Sequence, residues 1–480
     1  MLHFRPRPTL LALGLLFFSA APHADNLQEI YELALQNDPV VKAAEATYRA
    51  GREAEILGRS RLLPQVGAQA EVGRNDMTQV SKRVFPIQNQ NIQSNSNYDV
   101  DEDEENYYLT VSQKLFDLPA WFGFKQGKAL TRQAEAQFAA DQQDLIMRTV
   151  EAYMRVLRAI DNLKSSRTEE AAYQRQLEQA QQRFEVGLIA ITDVHEARAA
   201  FDLAVVERLT DEGNLGVAYE ALSVLTGQDH ANLWLLSEEF PVVDPQPATA
   251  ESWVELAMEG NLGLKVANYA AEAAMQSSQA SRAQHLPKLS GQLTLMDTST
   301  DGDNFDNQLR DPEGNRINPR YPTSVDVEGN SVMLTLSMPL YAGGGISSQR
   351  RQSYENYITA RETHTSIMRD TIQFTRSLHL FVTTDVQRVK ARRQAIVSAQ
   401  SALDATTAGY EVGTRNVVDV LNAQQVLFTA IRDYANTRYD YVSRLLRLRQ
   451  QAGLLSPEDV VALNKWLVEP TPATATAPRI

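Results

Sequence analysis

The chain has 480 residues, and its 46 Lys+Arg against 60 Asp+Glu give a net charge of −14. This acidic balance argues against nucleic acid as the main partner, because phosphate binding requires clustered Lys and Arg. Cysteine is absent, which excludes disulfides, thiolate metal sites and cysteine nucleophiles. With 43% hydrophobic and 22% charged residues, the composition is ordinary and allows a buried core.

The first 24 residues have the layout of a secretory signal peptide. Arg5 and Arg7 precede an apolar run from Leu10 to Phe18, and small residues follow. We expect cleavage after Ala24; the alternative, an N-terminal anchor helix, requires a longer apolar run. No later stretch approaches the ~20 apolar residues of a membrane helix. The mature protein is therefore predicted to be periplasmic, secreted or an outer-membrane β-barrel.

The chain contains an internal duplication. Residues 32–64 align without a gap with residues 255–287, at an offset of 223, and residues 183–194 match residues 409–420 at an offset of 226. Two register-matched segments at nearly one offset indicate a duplicated unit that is too long for an ordinary solenoid repeat.

These matches predict the domain organisation. The signal peptide, residues 1–24, is followed by a first repeat at 25–227, a linker at 228–251 and a second repeat at 252–453. Residues 454–480 form a last segment. From about Glu469 that segment is rich in Pro, Thr and Ala and is predicted to be disordered.

Each repeat contains two segments in which apolar and polar residues alternate. The apolar members are Val66, Ala68, Ala70 and Val72; Tyr107, Leu109, Val111 and Leu115; Leu289, Gly291, Leu293 and Leu295; and Val332, Leu334, Leu336, Met338 and Leu340. The pattern predicts strands of about ten residues with one apolar and one polar face, as in a lipid-facing barrel. A half-buried sheet in a soluble domain is the alternative. Residues 74–105 and 297–330 lie between these strands and are predicted to be extracellular loops.

Each repeat ends in a long helical hairpin. Residues 123–186 contain no proline and, after Gly127, no glycine, and residues 346–408 contain neither. A helix of about 60 residues is about 90 Å long. Gly187 and Gly413 are predicted to end these helices, because glycine permits the left-handed C-terminal turn. Return helices are predicted to reach about Gly227 and Gly453, and their seven-residue apolar recurrence indicates coiled-coil packing.

Four strands cannot close a transmembrane barrel, for which about eight is the minimum. Because open strand edges are not tolerated in lipid, several chains must combine their strands. Three chains would give twelve strands and twelve helices, although the arithmetic leaves two or four chains open.

Four segments carry a resemblance to a known family: RFEVGLIAITDVHEARAAFD (183–202), AGYEVGTRNVVDVLNAQ (408–424), MPLYAGGG (338–345) and LFDLPAW (115–121). Over nearly all of residues 25–466 the chain resembles the TolC family of outer membrane factors, the channels of efflux and type I secretion. The resemblance implies a homotrimer with a twelve-stranded barrel in outer-membrane lipid and a periplasmic α-helical tunnel. The implied partners are a periplasmic membrane-fusion adaptor and an inner-membrane pump of the RND, ABC or MFS type.

The resemblance also implies a gate where the hairpin ends seal the tunnel. The positions that match the family's gate are Gln176, Thr192, Asp193, Tyr410 and Arg415. The resemblance implies that Tyr410 and Arg415 bond to Asp193 and Thr192, both within one chain and between neighbouring chains. Spacing alone gives a local alternative: Asp193 stabilises a helix N-terminus, and Arg415 pairs with a carboxylate four residues along its own helix.

The same comparison predicts a constriction and a docking region. Asp419 and Asn422 lie on one helical face where the family has two aspartates facing the lumen, so a trimer would present three carboxylates instead of six. We expect multivalent cations to block this channel less tightly than they block related channels. The substitution Asn422→Asp should strengthen the block. Where the family has a glutamate partner for Gln176, this chain has Thr407, so we expect that link to be weaker or rewired. The grooves around Gly187 and Gly413 are the predicted adaptor-docking region.

The sequence has few of the residue patterns that indicate an enzyme active site. The five histidines after the signal peptide are not spaced as metal ligands on one helix turn, and Gly343-Gly344-Gly345 lacks the Lys-Ser/Thr of a phosphate loop. We predict no catalytic residues, no metal and no cofactor. The predicted function is a passive outer-membrane exit duct that opens on docking with the adaptor and pump. The alternative is a non-conducting periplasmic coiled-coil scaffold or adaptor.

Overall fold

The computed structural model describes residues 25–87, 90–306, 311–315, 317 and 319–470. The same order of elements occurs twice along the chain. The first set is α1 (Leu27–Asn37), α2 (Pro39–Ser60), β1 (Gln65–Ile87), β2 (Gln90–Phe116), α3 (Leu118–Glu185) and α4 (Ile191–Thr226). After β3 (Leu235–Leu236), the second set is α5 (Ala250–Gly260), α6 (Leu262–Ala283), β4 (Lys288–Asp306), β5 (Arg320–Ser337), α7 (Gly345–Glu411) and α8 (Val417–Gln451). The chain continues with α9 (Pro457–Asn464) and β6 (Leu467–Val468). The predicted signal peptide and most of the predicted disordered tail lie outside the described residues.

The chain divides into two compact units. The first unit comprises Met1–Ala46, Gln137–Leu264 and Met368–Ile480, and the second comprises Thr47–Ala136 and Lys265–Ile367. Each unit therefore combines segments from both repeats.

The long helices confirm the prediction from the absence of proline and glycine. Helix α3 has 68 residues and α7 has 67, which corresponds to about 100 Å each. Helix α4 ends at Gly227, whose φ of 74° is the left-handed conformation expected of a C-terminal glycine. The turn after α8 includes Gly453 with a φ of 71°.

On α8, most of the apolar residues that recur every seven positions are buried in the first unit. Val420, Leu427, Tyr441 and Leu448 are buried, so these positions pack inward as the coiled-coil pattern requires. On α4, Arg208 interrupts the recurrence, and its guanidinium forms ion pairs with Glu170 and Glu212.

The main core of the first unit contains large side chains from both repeats. Tyr153, Tyr441 and Trp253 are almost fully buried, and each donates its polar hydrogen to a backbone carbonyl between the repeats: Trp234 O at 2.8 Å, Val243 O at 2.8 Å and Pro247 O at 2.7 Å, respectively. Burial raises the pKa of Tyr153, so the hydroxyl remains a donor over the ordinary pH range. These bonds fix the inter-repeat segment on the helices.

The second unit holds a four-stranded antiparallel sheet in the order β1-β2-β4-β5. Val66 lies opposite Val111, Val111 opposite Leu293, and Leu293 opposite Val332. Because directly opposed residues share a face, the four predicted apolar alternations lie on one face, as expected. Strands β1 and β4 begin directly after Pro64 and Pro287, where the missing amide donor of proline does least harm to the ladder.

The strands are longer than the predicted ten residues. They have 23, 27, 19 and 18 residues. The prediction of loops at 74–105 and 297–330 was therefore wrong over most of both ranges, because the pairing continues where the apolar alternation stops. Polar side chains replace apolar ones there, and ion pairs such as that between Arg74 and Asp101 connect neighbouring strands. At its other end β5 stops at Ser337, so Met338 and Leu340 lie beyond the strand in which they were predicted.

In the second unit, α2 approaches the beginning of α3 very closely. A Cβ atom at Gly127 would lie 2.3 Å from the carbonyl oxygen of Ala54, so only glycine fits. The corresponding position 226 residues later is Ser353, whose hydroxyl lies 2.8 Å from that of Ser281 on α6. Small residues thus allow the same close helix contact in both repeats.

Candidate functional site

The candidate site consists of the two hairpin turns of the first unit. Between α3 and α4, Gly187 has a φ of 75°; its amide donates to Phe184 O at 2.9 Å, and the Leu188 amide donates to Arg183 O at 2.8 Å. These bonds satisfy the last carbonyls of α3. A Cβ at Gly187 would meet no atom within 4 Å, so the backbone conformation, not crowding, requires glycine.

The turn between α7 and α8 has the same construction. Gly413 has a φ of 79°, its amide donates to Tyr410 O at 3.2 Å, and the Thr414 amide donates to Gly409 O at 2.8 Å. The positions of the two glycines differ by 226, the offset of the internal repeat. The predicted glycine turns are therefore confirmed, whereas adaptor docking at them stays a prediction.

The beginning of α8 is stabilised by its own side chains. The Asp419 amide donates to Asn416 Oδ1 at 2.9 Å, and the Asn416 amide donates to Asp419 Oδ2 at 3.4 Å, which together form a capping box. Arg415 Nη1 lies 3.9 Å from Asp419 Oδ2. The local alternative predicted for Arg415 is thus the contact present within this chain.

The beginning of α4 lacks this arrangement. Its N-cap residue is Ala190, which offers no capping side chain. Thr192 is exposed and Asp193 is half-buried in the first turn. Within the described part of the chain, Tyr410 and Arg415 make no hydrogen bond or ion pair with either residue. The predicted bonds between neighbouring chains stay a prediction.

Tyr410 is buried, yet its hydroxyl lacks a partner. The ring packs with Tyr173, Val417 and Val420 in a small core between the helices, and the Arg183 guanidinium carbon lies 4.6 Å from the ring centroid. The hydroxyl makes no hydrogen bond to any described residue. A buried hydroxyl without a partner costs free energy, so this group would gain from a partner outside the described chain.

Gln176, on α3, is also buried, and its Nε2 makes no hydrogen bond among the described residues. The sequence predicted a weakened link at this position, because Thr407 replaces the glutamate of the family. Asn422 is exposed on α8, three residues beyond the partly exposed Asp419. Their role as a constriction stays a prediction.

A charge cluster that the sequence analysis missed lies between α3, α4 and α8, with Glu169 buried and Glu207 exposed. Arg432 Nη2 lies 3.3 Å from Glu169 Oε2, and its Nη1 lies 3.5 Å from Glu207 Oε1. Asp211 is also buried, with its Oδ2 unbonded to any described residue. Burial raises the pKa of Glu169; Arg432 opposes the shift, whereas Glu207 and Asp211 add to it. A signal existed: Asp211 continues the seven-residue series of the buried alanines 197, 204 and 218.

None of the helices in the described part of the chain combines the length and apolar character required to cross a membrane. Among the residues with a described placement, no group of three or more His, Asp or Glu side chains is arranged to hold a metal ion.

Comparison with known proteins gives a consistent result. The family model "Outer membrane efflux protein" matches residues 30–228 and 253–454. The chain is 35% identical to outer membrane protein TolC of Vibrio cholerae, over 96% of this chain and 98% of that protein. It is 34% identical to TolC of Escherichia coli, over 96% and 89%. It is 30% identical to the alkaline protease secretion protein AprF of Pseudomonas aeruginosa, over 90% and 86%.

Solved structures show the same fold. The outer membrane protein VceC of Vibrio cholerae has a TM-score of 0.69 and 18% identity, covering 89% of this chain and 96% of that one. The CmeC outer membrane channel of Campylobacter jejuni has a TM-score of 0.69 and 14% identity, covering 97% and 98%.

Proposed function

The chain belongs to the outer membrane efflux protein family and is an outer-membrane channel of efflux or secretion; from this premise we propose that it is a passive trimeric exit duct, gated at its periplasmic hairpin turns. Family members are channels rather than enzymes, and this favours the duct over the scaffold alternative. In this proposal the energy for export comes from an inner-membrane pump, reached through a periplasmic adaptor.

The open sheet is the observation that supports the trimer. Strands β1 and β5 are its two edges, and open edges are not tolerated in lipid. The shared apolar face is highly exposed, with Val66 at 68% and Val332 at 78%, as expected for side chains that face lipid. Three copies supply twelve strands, which closes a barrel of a size found in outer membranes.

The gate proposal is supported by polar groups that lack partners in the described chain. The Tyr410 hydroxyl and the Gln176 amide are buried and unbonded, and Asp193 lies half-buried without a capping partner. The Arg415 guanidinium is largely exposed, and its contact with Asp419 is long. Neighbouring chains would complete these groups in the closed trimer, because a guanidinium can bridge a carboxylate and a hydroxyl.

The docking proposal is supported by the exposed hairpin turns. Val186 and Leu188 flank Gly187 with 70% and 73% of their surface exposed, and Val412 precedes Gly413 with 76%. Apolar side chains held on a fixed turn are suited to packing against a partner protein. We propose that the adaptor contacts these turns and thereby opens the gate.

Single-channel current in planar bilayers tests the channel and its gate. We expect the wild-type protein to give small, cation-selective steps, and Asp193→Ala and Arg415→Ala to give larger steps because closing contacts are lost. Asp202→Ala, an exposed carboxylate farther along α4, is the matched control and should leave the steps unchanged. Steps unchanged in all three variants would keep the channel but contradict the gate, and failure to insert would contradict the channel.

A further inference from the structure

A cleft between α3, α7 and α8 lies in the first unit, away from the hairpin turns. Its volume is about 420 Å³, within the range of pockets that hold small organic ligands. Four arginines line it, Arg155, Arg158, Arg444 and Arg447, against two carboxylates, Glu151 and Asp440. This cationic excess stands out in a chain whose net charge is −14.

Three of the arginines are fixed in place by carboxylates. Arg444 donates to both oxygens of Asp385 at 2.8 and 2.7 Å, and Asp385 is fully buried. Arg447 donates to Glu151 at 2.6 Å, and Arg158 donates to Asp440. Because these pairs restrict the rotamers of the side chains, the guanidinium groups are positioned before any ligand arrives.

Arg155 differs from the other three. It is exposed at the cleft, and the described part of the chain supplies no carboxylate within ion-pair distance of it. A guanidinium presents a planar set of donors that fits a carboxylate or sulfonate in two parallel hydrogen bonds. The cleft therefore has one cation available for an anion from outside the chain.

The cleft also has an apolar side. Met154 is buried at its floor, and Leu378 and Phe381 form one wall. Half of the Phe381 surface, 51%, remains exposed, and the Arg444 guanidinium carbon lies 5.3 Å from the ring centroid. An inorganic anion would leave this apolar surface unused, and a neutral molecule would leave Arg155 unpaired.

We propose that this cleft binds a small, soluble organic anion with an aromatic or aliphatic body. The anionic group pairs with Arg155, and the body packs against Met154, Leu378 and Phe381. Helix α3 comes from the first repeat and α7 and α8 from the second, so the bound anion connects helices of both repeats and stabilises their packing. The proposal does not depend on the gate or on the channel function.

Calorimetric titration of the purified full-length protein with benzoate, at constant ionic strength in a nonionic detergent, tests this site. We expect saturable binding of one benzoate per chain. Inorganic phosphate, which has no apolar body, and benzyl alcohol, which has no anionic group, should each bind at least tenfold more weakly. Arg155→Gln and Arg155→Ala should each weaken benzoate binding by about tenfold or more, as expected for loss of a charge-assisted hydrogen bond.

The matched control is Arg175→Ala, an exposed arginine on the same helix that does not line the cleft, which should bind benzoate as the wild type does. Phe381→Ala should weaken benzoate binding more than it weakens binding of acetate, which has almost no apolar body. Far-UV circular dichroism checks the fold of each variant. Absence of saturable benzoate binding, or equal affinity in the wild type and both Arg155 variants, would overturn the proposal.

Discussion

At the residue scale, the chain places charged side chains where coiled-coil packing calls for apolar ones. Asp211 occupies a buried position in an alanine series, and Glu169 and Arg432 meet beside it. Burying the Glu169 and Asp211 carboxylates beside one guanidinium costs free energy, because burial disfavours each charge that is not fully paired. The raised pKa of Glu169 is the consequence of this arrangement.

The cluster gives a pH dependence with a definite sign. The pKa of Glu169 in the folded chain is above its ordinary value of 4.5, so the folded state binds more protons than the unfolded state between the two values. The free energy of unfolding should therefore fall as the pH rises through this window, by up to about 1.4 kcal/mol per pH unit. Glu169→Gln should flatten this part of the profile.

Thermal unfolding followed by circular dichroism from pH 4 to pH 8 measures the effect. Glu178→Gln, which removes an exposed carboxylate from the same helix, is the control and should retain the wild-type profile. Identical pH profiles for Glu169→Gln and the wild type would show that the Glu169 carboxylate does not titrate in this way.

At the element scale, the two hairpins share their turns but differ in how their return helices begin. Asn416 and Asp419 cap α8, whereas α4 has Ala190 and Asp193 at the equivalent positions. The offset of 226 makes this a comparison within one chain: the same turn, with and without a capping side chain. The beginning without a capping side chain is the one that contains the predicted gate residues Thr192 and Asp193.

Ala190→Asn should reproduce the capping box at the beginning of α4 and stabilise that turn by about 1 kcal/mol. Asn416→Ala should destabilise the beginning of α8 by a similar amount. Amide hydrogen exchange measured by mass spectrometry should then slow about fivefold over residues 190–195 in the first variant and accelerate over residues 416–421 in the second.

Ala199→Asn, placed beyond the first two turns of α4, is the control for the capping experiment, because it adds the same side chain where it cannot cap. Equal exchange at the beginning of α4 in the wild type and Ala190→Asn would contradict the capping explanation.

At the scale of the whole molecule, the sheet of one chain is open at both edges. Its edge strands β1 and β5 are separated by two other strands, a distance of about 14 Å at the usual strand spacing. A disulfide between β1 and β5 of one copy is therefore impossible. The natural chain contains no cysteine, so any disulfide between engineered cysteines on these strands must connect two copies.

Ala68→Cys is combined in turn with Asn330→Cys, Val332→Cys and Leu334→Cys. The double variant whose two cysteines lie opposite each other where neighbouring chains meet should give covalent trimers on a non-reducing gel. Ala68→Cys with Leu295→Cys is the matched control, since Leu295 lies on the inner strand β4 and should not form a link. A ladder that ends at dimers or extends to tetramers would contradict the trimer.

Local features of the sequence determined much of this protein. The glycine turns, the long helices and the alternating strand faces depend on neighbouring residues or fixed spacing, and the structure has all three. Tertiary structure decided what depends on distant residues. The strands extend past their apolar segments because partner strands satisfy the backbone. Helix α3 buries a seven-residue series that small and polar residues had hidden: Leu145, Ala152, Ala159, Ser166, Tyr173 and Ala180. The charge cluster and the arginine cleft likewise require three helices to meet, and no single segment specifies that meeting.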